Sequence, residues 1–182
     1  YGYYEGRFDG LYSYAQGLFL DYTYSANGWT ATVGIEDGGL GYAPYGSSGT
    51  AGQPDVYGGV TYSGSGWYLA GVVFYDSSAS AAAYKIRADY DFGTNGFGIG
   101  GWYMFDHGDT DWVKGHTWGV TAKMNLMDNL VLYGGYSDYA DQDNIGLDQS
   151  QSTWTVALRW DVVPGLYIMP EYSVVTYLHE TP

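Results

Sequence analysis

The sequence has 182 residues, a formal net charge of −14, 29 Gly, 22 Tyr and no Cys. The composition, with only six Lys and Arg residues and a strongly negative net charge, argues against a nucleic-acid partner, because phosphate binding needs clustered basic side chains. The lack of Cys excludes a disulfide scaffold and a thiolate metal site. No apolar run is long enough to predict a transmembrane helix. Abundant Gly with scarce Leu and Ile favours many short strands.

Segments of alternating apolar and polar residues follow a Tyr- and Gly-rich loop at residues 1–16. Each alternating segment predicts a strand, because successive side chains on a strand point to opposite faces. Pro170 lies inside the last segment and lacks a ladder donor, so we expect a bulge or break there. The predicted strands span residues 17–25, 29–37, 55–63, 67–76, 82–92, 97–106, 116–126, 130–139, 151–162 and 166–177.

The connections alternate between tight turns and longer loops. About ten strands of this length match the ~9–11 residues that cross a bilayer at a tilt. Outer-membrane barrels place short turns on one side and long loops on the other, whereas a β-sandwich needs crossovers. The sequence therefore predicts an all-β protein, a transmembrane antiparallel up-and-down β-barrel. Residues 1–182 form a single domain, with the strands and loops over residues 17–177.

One face of the predicted hairpin at residues 82–106 is apolar, and the other face is charged. Tyr84 and Ile86 alternate with Lys85 and Arg87. A Lys or Arg facing lipid at the bilayer midplane costs about 2–4 kcal/mol, so the charged face should line the lumen. The alternative is that these charges only pair and solvate one another. The predicted pore-lining residues are Asp21, Glu36, Lys85, Arg87, Asp89, Asp91, Lys123, Arg159 and Glu171.

Aromatic residues flank the tight turns at matching positions. In a barrel they would form a belt at one membrane interface. The alternative is that aromatic side chains simply pair across hairpins. The predicted belt consists of Tyr24, Trp29, Tyr62, Trp67, Phe92, Phe97 and Trp160.

Two alternative functions come from single features of the sequence. His107 and Asp109 lie in an acidic segment, which would suit an outer-membrane barrel enzyme with a site at its rim. The three His residues lack a supporting partner pattern, so a solvated acidic loop is the favoured interpretation. The high Tyr content would also suit a soluble carbohydrate-binding β protein.

Two motif matches fail their structural tests. Residues 141–152 imitate an EF-hand loop, but Ile145 and Ser152 occupy ligand positions. Residues 96–101 match G-x-G-x-x-G, but they open a strand rather than a helix, which argues against a dinucleotide site. We therefore expect no cofactor and no specific metal site, with weak divalent-cation binding by the acidic loops as the one ligand left open.

Several segments resemble the general-diffusion porins of alphaproteobacteria, the Brucella and Rhizobium type. They are residues 30–37 (TATVGIED), 54–76 (PDVYGGVTYSGSGWYLAGVVFYD) and 163–173 (VPGLYIMPEYS), and the resemblance extends over residues 17–177. It implies a sixteen-stranded trimeric barrel in the Gram-negative outer membrane, surrounded by lipid and lipopolysaccharide. It also implies passive diffusion of ions and small hydrophilic solutes, with no catalytic residue.

This chain has fewer strands than the family it resembles. We therefore predict a partial chain, with strands missing before Tyr1 and a closing strand missing after Pro182. Residues 1–16 would then be the end of the inward-folded constriction loop, with Glu5, Arg7 and Asp9 as candidates at the constriction. The alternative is a genuine ten-stranded barrel.

Overall fold

The computed structural model describes residues 19–37, 54–77, 80–93, 96–107, 116–140 and 149–179. These residues form strands that pair antiparallel in one sheet. The strands are β1 (Phe19–Ala26), β2 (Trp29–Asp37), β3 (Pro54–Gly64), β4 (Trp67–Asp76), β5 (Ala81–Asp91), β6 (Phe97–His107), β7 (His116–Met127), β8 (Leu130–Ala140), β9 (Gln149–Val163), β10 (Leu166–Ile168) and β11 (Glu171–His179). No helix long and apolar enough to cross a membrane occurs in these described ranges.

The sheet is a meander in which each strand from β1 to β10 pairs with the next, and β11 also pairs with β9. This order confirms the predicted all-β, up-and-down fold. Within the described part of the chain, β1 and β10/β11 are the two edges, and no pairing joins them. The sheet is thus an open wall, as expected for part of a barrel.

The last predicted strand is divided into β10 and β11 at Pro170. Ile168 lies opposite Trp160 and Glu171 opposite Ala157, so the register is the same on both sides of the break. The Leu158 amide donates to the Pro170 carbonyl at 3.1 Å, but proline has no N–H to return the bond. The predicted break is confirmed, and it interrupts the ladder without shifting it.

Tight turns join the strands in pairs at one end of the sheet. Asn27 and Gly28 have φ values of 52° and 82°, and Ser65 and Gly66 have φ values of 52° and 83°. Positive φ at both central residues is typical of type I′ turns, whose twist suits a two-residue hairpin. The connections at the opposite end span residues 38–53, 77–80, 108–115 and 141–148. The connection at residues 77–80 is as short as a turn. Only the other three connections show the predicted difference in length between the two ends of the sheet.

Burial in this sheet is reversed relative to a water-soluble protein. Large apolar side chains such as Leu20, Val60, Ile86 and Trp154 are exposed on one face, which we call the outer face. The opposite, inner face carries most of the buried side chains, and most of these are polar. The buried polar residues are Asp55, Asp76, Arg87, Asp89, Thr117, Thr121, Ser137, Thr153 and Thr155.

Candidate functional site

Two Arg–Asp ion pairs of the same design lie on the inner face. In β5, Arg87 Nε and Nη2 donate to the Asp89 carboxylate at 2.7 and 3.3 Å, and the two side chains are 5% and 3% exposed. In β9, Arg159 Nε and Nη2 donate to Asp161 at 3.0 and 2.8 Å, with exposures of 39% and 41%. Residues two apart on a strand share a face, so each Arg reaches its own strand's Asp.

Glycines let inner-face side chains reach across a whole strand. Lys123 in β7 bonds Asp91 in β5, and the residue between them in β6 is Gly98. In the same way, the Tyr57 hydroxyl in β3 donates to Asp21 Oδ2 in β1 at 3.1 Å. Directly opposed residues lie close on one face, so a side chain at the intervening position would obstruct such a contact.

Gly34 provides the clearest test of this arrangement. A Cβ atom at Gly34 would lie 2.4 Å from Cζ of Tyr57, so we expect Gly34→Ala to displace the ring and break its bond to Asp21. The free energy of unfolding should fall by about 0.5–1.5 kcal/mol, the usual contribution of one hydrogen bond, because the displaced atoms are the far end of the Tyr57 side chain and can move aside. Gly71→Ala is the matched control, because nothing lies within 4 Å of its added Cβ. Equal stability of the two variants in urea unfolding would contradict the prediction.

An indole lies among the charges of the inner face. Trp102 in β6 is directly opposite Arg87 in β5 and Gly119 in β7. A Cβ atom at Gly119 would lie 2.8 Å from Cε2 of the ring, so the indole occupies space that only glycine leaves free. The Lys85 Nζ atom lies 5.9 Å from the ring centroid. The alternating pattern predicts the direction of this side chain but gives no role for an apolar residue there.

The strands β1 to β4 contain carboxylates but no Lys or Arg. No Lys or Arg occurs between Arg7 and Lys85. The cross-strand register of β3 and β4, continued by one residue, places Asp55 opposite Asp76, and both are buried. The Ser77 amide and hydroxyl donate to Asp55 Oδ1 at 2.9 and 3.1 Å. All four described Lys and Arg side chains lie on β5 to β9, so the inner face is acidic on one side and mixed in charge on the other.

The remaining candidate residues from the sequence are distributed as follows. Glu171 Oε1 accepts a bond from Ser173 Oγ at 2.9 Å, and Ser173 Oγ lies 2.8 Å from Thr155 Oγ1. Glu36 is in β2, but its side chain is outside the described part of the structure. The constriction candidates Glu5, Arg7 and Asp9 also lie outside the described residues, as does all of the predicted end of the constriction loop at residues 1–16.

The rim-enzyme alternative rests on residues that are only partly described. His107 is exposed at the end of β6, whereas Asp109 lies outside the described residues. The acidic loops expected to bind divalent cations weakly are also outside them. Within the described ranges, no group of three His, Cys, Asp or Glu side chains could hold a metal ion.

Aromatic side chains form a band on the outer face near the tight turns. Ring centroids of Trp29 and Tyr62 are 4.9 Å apart, and those of Phe92 and Phe97 are 5.4 Å apart. Trp67 belongs to the same band, and its ring centroid is 4.6 Å from that of Tyr90. Tyr24 and Trp160, the other residues predicted for the belt, are exposed on the same face. Cross-strand pairing and an aligned band therefore occur together and are not exclusive.

A second aromatic band lies toward the other end of the strands, and sequence analysis missed it. Its ring-to-ring distances run from 4.6 to 6.1 Å. Tyr84 and Tyr90 belong to different bands and are six residues apart, about 20 Å along β5. The same two-residue alternation could have revealed this band. Its rings belong to Tyr84, Tyr103, Phe105, His116, Trp118, Tyr136 and Trp154.

Comparison with known proteins gives one consistent family. A family model described as "Porin subfamily" matches residues 10–181. Curated relatives named "Porin Omp2b" from Brucella canis, Brucella suis biovar 1 and Brucella abortus are each 28% identical to the chain over 171 residues. The alignment covers 85% of this chain and 43% of each relative, so the chain spans less than half the length of these proteins. No solved structure matches it.

Proposed function

The chain belongs to the porin subfamily, and from this membership we propose that it forms part of a passive, water-filled channel for ions and small hydrophilic solutes. Porin relatives from Gram-negative Brucella place the protein in the bacterial outer membrane. The family implies a channel rather than an enzyme, and transport of this kind needs no cofactor.

The observation that carries the proposal is the reversed burial of the sheet. Its outer face exposes large apolar side chains, while Arg87 and Asp89 are buried on the inner face. A soluble carbohydrate-binding protein would have to expose this outer face to water, whereas lipid would cover it. An eleven-residue strand such as β5 is ~36 Å long and, at a tilt of ~45°, spans the ~25 Å of the apolar band.

Selection in such a channel is by size and by the charges of the lumen. The accessible polar groups of the inner face, such as the Thr23–Thr32 hydroxyl pair and the Arg159–Asp161 ion pair, can exchange hydrogen bonds with water and hydrophilic solutes. Within the described residues, Arg87, Lys123 and Arg159 each contact an Asp. Opposite charges that are paired locally reduce the net field that an ion meets in the lumen.

We further propose that the protein works as a homotrimer surrounded by outer-membrane lipid and lipopolysaccharide. The apolar outer face and its two aromatic bands support contact with lipid, because Tyr and Trp favour the two membrane–water interfaces. Trimers are what the resemblance to general-diffusion porins implies.

Reconstitution tests the channel function directly. The complete natural protein, purified in detergent, is added to a planar lipid bilayer between salt solutions under applied voltage. We expect stepwise current increases of uniform size, because each inserted channel adds a fixed water-filled path. The rim-enzyme alternative is tested in parallel by His107→Ala, which should leave the conductance unchanged. An absence of steps from folded protein would reject the porin function.

A further inference from the structure

Two buried hydroxyl groups lie close together on the inner face of the sheet. Thr121 in β7 is 6% exposed, and Ser137 in β8 is 0% exposed. Within the described part of the chain, neither Thr121 Oγ1 nor Ser137 Oγ has a hydrogen-bond partner. An unpartnered buried polar group is costly, and native proteins usually satisfy it with a protein group or an ordered water. These two hydroxyls therefore need a further partner.

A neighbouring hydroxyl on the same face shows how the sheet itself can supply a partner. Thr155 Oγ1 in β9 lies 2.8 Å from Ser173 Oγ in β11, which is directly opposite. Thr121 has no such side chain beside it, because the residues opposite it are Gly100 in β6 and Gly135 in β8. Its hydroxyl is thus left to a partner that does not come from the adjacent strands.

Thr121 and Ser137 occupy one diagonal of a four-residue square, and glycines occupy the other diagonal. Gly135 is opposite Thr121, and Gly119 is opposite Ser137. Diagonal neighbours across two strands are about 7–8 Å apart, so hydroxyls that turn toward each other come within about 5 Å. That separation is too long for a direct bond. One water molecule, with two bonds of about 2.8 Å, spans it.

The two glycine corners of this square differ. A Cβ atom at Gly119 would lie 2.8 Å from Cε2 and Nε1 of Trp102, so the indole covers that corner. Gly135 contributes no side chain at the other corner, which is where a small ligand fits. Lys123, two residues from Thr121 on the same face, already bonds Asp91. An ammonium so close disfavours a bound cation, and two neutral hydroxyls suit a neutral ligand.

We propose that Thr121 and Ser137 form a binding site for one water molecule in the wall of the sheet, at the Gly135 corner of the square. Water both donates and accepts, so it satisfies the two hydroxyls whichever of them donates. Buried waters make about two to four hydrogen bonds, and these two hydroxyls supply the minimum. The site belongs to the folded wall and does not depend on the proposed channel function.

The test compares urea unfolding of the complete natural protein in lipid vesicles with that of variants that lack one hydroxyl. Thr121→Val keeps the shape of the side chain, and Ser137→Ala removes little volume. A water bonded to both hydroxyls loses a partner in either variant, so we expect each to lower the urea midpoint. The double variant should lower it by less than the sum of the two shifts, because both residues hold the same molecule.

The opposite sign is expected if the hydroxyls bind nothing. Removing an unpartnered buried group relieves its desolvation cost, so a raised or unchanged midpoint in either variant would overturn the proposal. Strictly additive decreases would do the same, because they would indicate two separate partners. Thr155→Val is the matched reference, since Thr155 is also buried and its hydroxyl has Ser173 as a partner. Thr121→Val should shift the midpoint in the same direction.

Crystallography of the wild-type protein provides a second readout that needs no variant. We expect a density peak within about 3.2 Å of both Thr121 Oγ1 and Ser137 Oγ. Bromide in place of chloride should give no anomalous signal at that position. An anomalous peak would identify an anion instead of water. A map that shows other buried waters but no peak between these hydroxyls would also reject the site.

Discussion

We expect Val60→Arg to prevent stable assembly of the protein in the outer membrane. Val60 lies midway along β3 on the outer face and is 47% exposed, opposite Ala31 and Gly71. A lipid-facing Arg at the bilayer midplane costs about 2–4 kcal/mol in a barrel. Because the apolar neighbours offer no counter-charge, the guanidinium has to reach the interface or remain unpaired in lipid. Folding into lipid vesicles, followed by urea titration, measures the loss.

Thr61→Arg is the matched control for this prediction. Thr61 is the next residue of β3, so the same side chain at nearly the same depth would point to the inner face. It lies opposite Thr30 and Ala70, which leave a polar and sterically modest surrounding. We expect Thr61→Arg to fold and insert, with an altered conductance. If both variants inserted equally well, the assignment of β3's outer face to lipid would be wrong.

The fold was predictable because the decisive signals are local. A two-residue period fixes which side chains share a face, and Asn27–Gly28 supplies the positive φ of a two-residue turn. Pro170 by itself predicts the break in the last strand. Its carbonyl accepts a bond from the Leu158 amide, but proline has no N–H with which to donate one in return. None of these inferences needs a long-range contact, and in a meander every strand pairs with its sequence neighbour.

The contacts on the inner face were less predictable because they join strands that are not adjacent. Alternation placed Lys123 and Asp91 on the charged face, but their contact depends on Gly98 between them. Apolar side chains on that face, such as Trp102, follow from packing over a neighbouring glycine, which a strand's own pattern does not contain. The Arg87–Asp89 and Arg159–Asp161 pairs are the exceptions, since a spacing of two residues already puts both side chains of each pair on one face.

We expect Arg87→Met to destabilise the protein far more than the same substitution at the exposed Arg159. Asp89 is 3% exposed, and both of its described bonds come from Arg87. Methionine retains much of the arginine's length but none of its donors, so a buried carboxylate would lose its counter-charge. Breaking a buried ion pair from one side costs about 3–5 kcal/mol, which urea unfolding in lipid vesicles can resolve.

Arg159→Met is the matched control, because it makes the same chemical change at a more solvent-exposed ion pair. The Arg159–Asp161 pair has the same spacing along its strand, but its two side chains are 39% and 41% exposed. An exposed pair contributes about 0.2–1 kcal/mol, and the Arg159 contact with the Tyr167 ring at 4.5 Å adds little in water. The double variant Arg87→Met/Asp89→Leu should recover much of the loss, because it removes the buried charge as well as its partner. If Arg87→Met cost no more than Arg159→Met, burial would not govern these pairs, and the inner face would have to be as wet at Asp89 as it is at Asp161.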